Sequence, residues 1–474
     1  MTLFAIIAAI VGLVWGTYFV LRGSLVVGST LYLIVASVLG YDFLHFDVGG
    51  ISMSMDRLLL LWAIGSFAVQ WRLGRTTPKP ITRDEIIMFS FFGLLCFNTF
   101  THDFRNHDPG QVPIVQHLIN GYLIPLILYW IVRQSTVTRR DVEVSQLLMI
   151  VFGVYLAFTA FFEVTQTWSM VFPKYIADPT IGIHFGRARG PFLQSVRLGV
   201  YLTAAWFMAW MLLNWQGRFG RRGQLIGIVL LPIFLGSLYV TYTRSVWMGV
   251  ALIVALTTFA TLHGRTRWAA IACMMFAGLA VVAVKGDKLV SFQREYSAAE
   301  TRESTSMRGS FAYVSWLMFK ERPISGFGFG HFSRENQRFL NDRALPLRHE
   351  AIRGYIHHNT FLSLLVDLGL FGLLLYGLLL YRWGRGAWQL WCNQRAPDWM
   401  RSHGLLMLGF MIAYMVQMLF HEVSYSPMEN GILYLLAGLT AALRSQQEPA
   451  MSTPRATGQF ESPSPFWRLA NSPR

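Results

Sequence analysis

Apolar runs of 18 or more residues recur from one end of this chain to the other. Each is long enough to cross a hydrocarbon layer of about 30 Å as a helix. Only 14% of the residues are charged, against about 25% in an ordinary soluble domain. The chain therefore reads as an all-α polytopic membrane protein. Spans are expected near 2–21, 24–40, 51–71, 85–102, 113–132, 142–164, 195–215, 223–243, 246–262, 268–284, 358–381, 403–420 and 430–444. That makes about 12–13 transmembrane helices, because the turn between the first two is very short. Before residue 20 there is neither a charged n-region nor a small-residue cleavage site, so Met1–Val20 is expected to be a span, not a removed signal.

Orientation follows from the short loops. Arg72, Arg75, Lys79 and Arg83 cluster in one, and Arg133, Arg139 and Arg140 in another. Arg218, Arg221 and Arg222, then Arg265 and Arg267, then Arg382, Arg385, Arg395 and Arg401 complete the set. All fall on one side of the span count, which marks that side as cytoplasmic. Asp42, Asp47, Asp103, Asp108, Glu422 and Glu429 fall on the other. The net charge of +15 thus reflects topology and does not point to nucleic acid. Cys96, Cys273 and Cys392 lie in or beside apolar runs with no CxxC spacing, so neither a disulfide framework nor a zinc site is expected.

The chain divides into a transmembrane domain over 1–445 and a Ser-, Pro- and Arg-rich cytoplasmic tail over 446–474, expected to be disordered. One large external (periplasmic) loop interrupts the domain over 286–357. Within it, Arg308–Phe319 has aromatic residues at helical spacing that suit a helix lying flat on the membrane face. The glycine run that follows, Pro323 to Gly330, has no Lys-Ser/Thr after it and is no P-loop. It reads either as a tight turn or as backbone donors for a phosphate.

The loop ends in a polar clasp, His357-His358-Asn359-Thr360, which runs straight into an apolar helix containing Asp367, Gly369 and Gly372. A histidine pair at that boundary stands where aqueous chemistry meets a lipid-embedded substrate. The plainer reading is an interfacial helix start with Asn359 or Thr360 as N-cap. Adjacent residues at a helix start point apart, so one histidine is expected to act. Asp367, about 13 Å down a helix, is expected to be a buried structural partner. Arginines crowd the same expected face: Arg187, Arg189, Arg197, Arg244 and Arg308. Each alone fits a snorkelling side chain. Together they suit an anionic lipid-linked substrate, because a guanidinium binds phosphate oxygens in bidentate fashion and keeps its charge.

With these residues in place, the chain resembles the O-antigen ligase superfamily, which includes O-antigen and exopolysaccharide polymerases. His358-Asn359, nine residues, Gly369, two residues, Gly372 matches the ligase motif. Glu321 to Gly330 resembles the family's glycine-rich segment, in which Gly326 and Gly328 fall. Arg187 to Phe192 resembles its arginine-to-GxF segment, and Arg244 its span arginine. The likeness covers roughly 180–380 by motif, with Arg322 in place of an Asn, Arg197 where many members have Asn and Met248 in place of a Leu.

The resemblance implies metal-independent glycan transfer without a cofactor, at the external face of a bacterial inner (cytoplasmic) membrane. The donor would be an undecaprenyl-diphosphate-linked glycan and the acceptor lipid A-core or another glycan. His358 is then the expected base or acceptor-orienting group. Arg187, Arg189, Arg244 and Arg308 are expected on the diphosphate, with His357, Asn359, Gly326, Gly328, Gly369 and Gly372 in support. A polymerase that extends lipid-linked repeats is the nearest alternative. A lipid-linked sugar transporter is a second, but it should show inverted repeats and broken helices near mid-membrane. A metal site built on His102, Asp103, His107 and Asp108, or on His421 and Glu422, fits no standard ligand spacing.

Overall fold

The computed structural model describes residues 14, 16–40, 43, 45–48, 51–76, 78–104, 112–214, 220–290, 298–342, 344–345 and 347–452. Among them the protein is a helical bundle. Eight helices are long and apolar enough to cross a membrane. They are α3 (Arg83–Thr101), α4 (Ile114–Gln134), α5 (Arg139–Val164), α6 (Ser195–Asn214), α7 (Gly220–Tyr239), α8 (Arg244–Thr261), α11 (Thr360–Cys392) and α12 (Asp398–Phe420). Helices also occupy four further expected positions: α1 (Leu25–Val38), α2 (Met55–Arg72), α9 (Gly264–Val290) and α13 (Pro427–Ser452). Most of the span expected over 2–21 lies outside the described residues, as does the expected 446–474 tail from residue 453 on; residues 446–452 continue α13 instead of being disordered. The span expected over 51–71 differs at its start. Residues Ile51–Ser54 pair antiparallel with His45–Val48 as a short hairpin before α2 begins.

Local chemistry sets the helix starts. Thr82 with Glu85 and Thr138 with Asp141 form capping boxes at α3 and α5, each satisfying two backbone donors that a helix start leaves open. Packing then sorts the helices. The apolar window of α6 is 83% buried whereas that of α7 is 28% buried, so α6 is central and α7 faces outward. Small residues let helices approach. Gly121 lies in a π-helical turn of α4, Ile119–Leu123, and a Cβ there would come within 2.2 Å of the Ser424 carbonyl. Such turns in a helix often mark functional places.

The loop ahead of α11 has a core of its own. Helix α10 (Ala298–Glu321) carries Phe311, Val314 and Met318, which pack against Phe327, Phe332, Leu340, Ile352 and Val366. Arg308–Phe319 therefore has a protein partner for its apolar stripe, where the sequence reading gave it a membrane surface. Val366 belongs to α11, so this small core rests directly on the bundle and fixes the loop over the start of that helix.

Candidate functional site

The clasp is built on the α11 N-terminus. Asn359 is the N-cap; its Oδ1 accepts the Leu362 N–H at 2.9 Å and its Nδ2 donates to the Leu419 carbonyl at 2.8 Å. Thr360 is fully buried, donates to the His421 carbonyl at 3.0 Å and accepts from Val423 N–H at 3.2 Å. One residue thus caps the helix and the next ties it to the turn between α12 and α13.

The two histidines differ. His357 is 1% exposed, lies against Phe332 and Phe311, and uses both ring nitrogens. Its Nδ1 accepts the Asn359 N–H at 3.1 Å, which leaves Nε2–H to donate to Ser315 Oγ at 2.6 Å. Burial, with the neighbouring His358, pushes its pKa down to about 3. It is a neutral strut. His358 is exposed, and its Nδ1 lies 3.2 Å from the Ile356 carbonyl. A carbonyl only accepts, so Nδ1 carries the proton and Nε2 is left basic. One face of its ring stacks on Phe311, with centroids 4.9 Å apart. Partial burial lowers its pKa from the usual imidazole value, and the Arg308 guanidinium acts in the same direction.

The glycine run braces a break in α11. Gly369 has φ 68° and ψ −171°, which interrupts the helix. Pro323 to Gly330 lies along the break and replaces the lost ladder. Phe327 N–H donates to the Val366 carbonyl at 2.9 Å, Gly328 N–H to that of Asp367 at 3.0 Å, and Leu370 N–H to that of Pro323 at 2.8 Å. Phe329 N–H reaches Asn98 Oδ1 at 2.5 Å, and Gly330 N–H reaches Asp367 Oδ2 at 2.8 Å. Four consecutive donors, from Phe327 to Gly330, are therefore engaged within the protein and do not form a phosphate cradle. Close approach explains the glycines. A Cβ on Gly326 would lie 2.3 Å from the Asp367 carbonyl, and one on Gly369 would lie 2.1 Å from that of Ile324. Gly328 has φ +112° and Gly372 packs under Leu368. Asp367 also accepts from Tyr425 OH at 3.2 Å, so it joins loop, broken helix and the α12–α13 turn.

The arginines fall into two groups. Arg189 is fully buried; its guanidinium donates to the carbonyls of Ile181, Ile176 and Asp178 at 2.7–3.2 Å. Its N–H and that of Gly190 bind Glu163 at 3.0 and 2.7 Å. That geometry holds the 165–194 loop together. Arg187, half-buried, precedes Ala188, whose N–H donates to the Val240 carbonyl at 3.3 Å. Four residues beyond Val240, Arg244 opens α8 and is exposed. Ser245 donates to Gln417 Oε1 at 2.7 Å and lies 3.2 Å from His421 Nε2, whose own carbonyl takes Thr360. Arg308 is exposed on α10, one turn before Phe311, with its guanidinium 5.7 Å from the Phe420 ring centroid. The neighbours of these residues are tied together: Ala188 to Val240, Ser245 to His421 and His421 to Thr360, while Arg308 lies over Phe420 at the end of α12. All lie at one end of the bundle.

Residues 229–377 match the family model described as O-antigen ligase. The chain's likeness to the O-antigen ligase family lies in this stretch. No curated protein matches the chain. The matched stretch runs from within α7 to within α11 and contains Arg244, Arg308, Gly326, Gly328, His357, His358, Asn359, Gly369 and Gly372. Arg187 and Arg189 precede it, and the α12–α13 turn that locks the clasp follows it.

Within the matched stretch, Ser315 orients the neutral His357 and Phe311 supports His358. Neither stood out in the sequence, because a serine and a phenylalanine in an aromatic run carry no motif. In the His421–Tyr425 turn, His421 and Glu422 suggest only a metal pair, whose spacing fits no standard site. Glu422 Oε1 instead accepts from Thr360 and Ser424. Among the described residues no group of three or more His, Cys, Asp or Glu is placed to hold a metal ion. His107 and Asp108 lie outside the described residues.

Proposed function

We propose that the chain transfers a glycan from an undecaprenyl-diphosphate-linked donor to a sugar hydroxyl, at the external face of a bacterial inner membrane. His358 Nε2 takes the proton of the acceptor hydroxyl. The freed oxygen attacks the anomeric carbon from the side opposite the diphosphate, the carbon–oxygen bond to the diphosphate breaks, and the configuration inverts. A sugar hydroxyl is a weak nucleophile at neutral pH, so a positioned neutral imidazole is worth about 10²–10⁴ in rate. Arg244 and Arg308, with Arg187 beside them, stabilise the charge that grows on the leaving diphosphate. Arg189 serves by holding the loop that presents Arg187.

The observation that supports this reading most is the exposed His358, whose Nε2 is left basic, at the bundle end where Arg244 and Arg308 are also exposed. The test is the purified full chain in liposomes, given undecaprenyl-diphosphate-linked glycan and lipid A-core from a strain lacking the protein. His358→Ala should abolish transfer and leave donor binding intact. Retained turnover would overturn the assignment. The products name the acceptor: a single glycan joined to lipid A-core marks a ligase, and a ladder of repeats on the carrier marks a polymerase. Turnover unchanged by a chelator is expected for a reaction whose charge stabilisation comes from arginines.

A further inference from the structure

We infer that Tyr355 is the platform on which the acceptor sugar stacks, an assignment that rests on His358 being the base. A large apolar ring left half in the open usually has a use. Tyr355 is 50% exposed, and Ile356 beside it is 40% exposed. Its ring meets the His358 imidazole edge-on, with centroids 6.3 Å apart and planes at 84°. An edge-on contact leaves a stacking face of the pair uncovered. The opposite arrangement holds for Phe311, which is 2% exposed and lies flat against the imidazole. The imidazole therefore has a buried wall on one side and an open aromatic beside it.

The support under Tyr355 is firm. Its N–H donates to the Ile352 carbonyl at 3.2 Å, and Ile352 is fully buried in the small core of the loop. The next carbonyl, that of Ile356, is the one that holds His358 Nδ1. Platform and base are thus joined through a two-residue turn, and the distance between them is set by backbone.

The chemistry favours a sugar. A pyranose presents C–H bonds on one face, and these are attracted to the negative face of an aromatic ring; hydroxyls around its rim stay free to bond elsewhere. A sugar on Tyr355 would bring a rim hydroxyl alongside His358 Nε2. That places the acceptor, and not the donor, on this ring, because the base must touch the attacking hydroxyl. The turn stays in place without the ring, since neither of these bonds involves the Tyr355 side chain.

The experiment is steady-state kinetics of the full chain in liposomes with the donor and lipid A-core preparations named above. Tyr355→Ala should raise the acceptor KM about three- to tenfold, the range of a lost aromatic contact. Donor KM and the rate at saturating acceptor should hold. Tyr355→Phe and Tyr355→Trp should restore the acceptor KM, because the ring does the work. An unchanged acceptor KM in Tyr355→Ala, a donor KM that rises with it, or a phenylalanine variant as impaired as alanine would each overturn the assignment. His358→Ala is assayed alongside. If it is dead while Tyr355→Ala behaves as wild type, only the platform falls. If it turns over normally, the base falls and the platform with it.

Discussion

The two ends of the bundle use charge in different ways. At the end that gathers the short basic loops, arginines face carboxylates. Arg133 and Glu85 meet at 2.6 Å with side chains 3% and 1% exposed, and Asp84 takes Arg382 at 2.6 Å and Arg444 at 3.5 Å. At the histidine end the buried carboxylates mostly hold something else. Glu163 binds two backbone N–H groups, Asp367 binds Gly330 N–H and Tyr425 OH, and Glu422 binds Thr360 and Ser424. Arg197 with Glu429, at 3.4 Å, is the exception there. One end spends its cations on closing the helices together. The other fixes its backbone with acids and with Arg189, and keeps Arg244 and Arg308 at the surface. A cation that braces a fold and a cation that meets a substrate should respond differently to mutation.

The largest effect should fall on activity at the histidine end. His358→Ala is expected to cost about 10²–10⁴ in turnover with little change in the thermal midpoint, because the residue is exposed at the surface. His357→Ala should reverse the pattern. It leaves Ser315 Oγ buried without its partner, which costs about 1–3 kcal/mol of stability. If both variants lost activity and stability alike, the division between strut and base would collapse.

At the opposite end the order of effects inverts. Glu85→Ala strands the Arg133 guanidinium in a buried place and should cost about 3–5 kcal/mol, read as a lower unfolding midpoint in detergent. The fraction that remains folded should keep its turnover. Arg244→Ala provides the contrast: a stability within about 0.5 kcal/mol of the parent, and a reduced rate. Loss of stability in Arg244→Ala would show that exposure at the histidine end conceals a bracing role.

The backbone of the histidine end can be tested by glycine. Gly369→Ala must place a Cβ 2.1 Å from the Ile324 carbonyl at a positive φ. A cost of about 2–4 kcal/mol is expected, whereas Gly377→Ala, with nothing within 4 Å, should be close to neutral. Circular dichroism melts of the two variants separate the cases.

These contrasts also show what the sequence could carry. Span positions were legible because hydrophobic length is local: eight of the expected runs are helices that could cross a membrane. The histidine clasp and the order of arginines were legible as motif. The job of Arg189 was not, because its partners are carbonyls at 176, 178 and 181, and a backbone carbonyl has no letter. The same holds for the glycine run. Its spacing reads as a turn or a phosphate cradle, and only the broken helix opposite shows which groups receive its four donors. The hairpin over 45–54 was hidden because Ile51–Ser54 continues into an apolar helix and shares its composition.

The smallest effect concerns pH, and it asks whether Arg308 acts on the base as well as on the substrate. On the proposed reading, the neutral form of His358 is the active one. Its pKa lies below the usual imidazole value of 6.5, first through burial and last through Arg308, against two backbone hydrogen bonds that raise it. Turnover should therefore hold as pH falls past 6.5 and drop only when it passes the lowered pKa. Stability carries the same sign: the folded state binds this proton less readily than the unfolded chain, so the contribution is present above 6.5 and is lost as pH falls. Replacing Arg308 by Gln removes a cation that opposes protonation. The acid limb should move to higher pH, and Arg308→Lys, which keeps the charge, should leave it where it was. A diphosphate ligand alone would raise the donor KM in Arg308→Gln without moving the limb. A limb that moves in Gln and not in Lys, together with a raised donor KM, would place one guanidinium between base and leaving group. That is what a cation 5.7 Å from the Phe420 ring, one helical turn from the Phe311 that supports His358, is positioned to do.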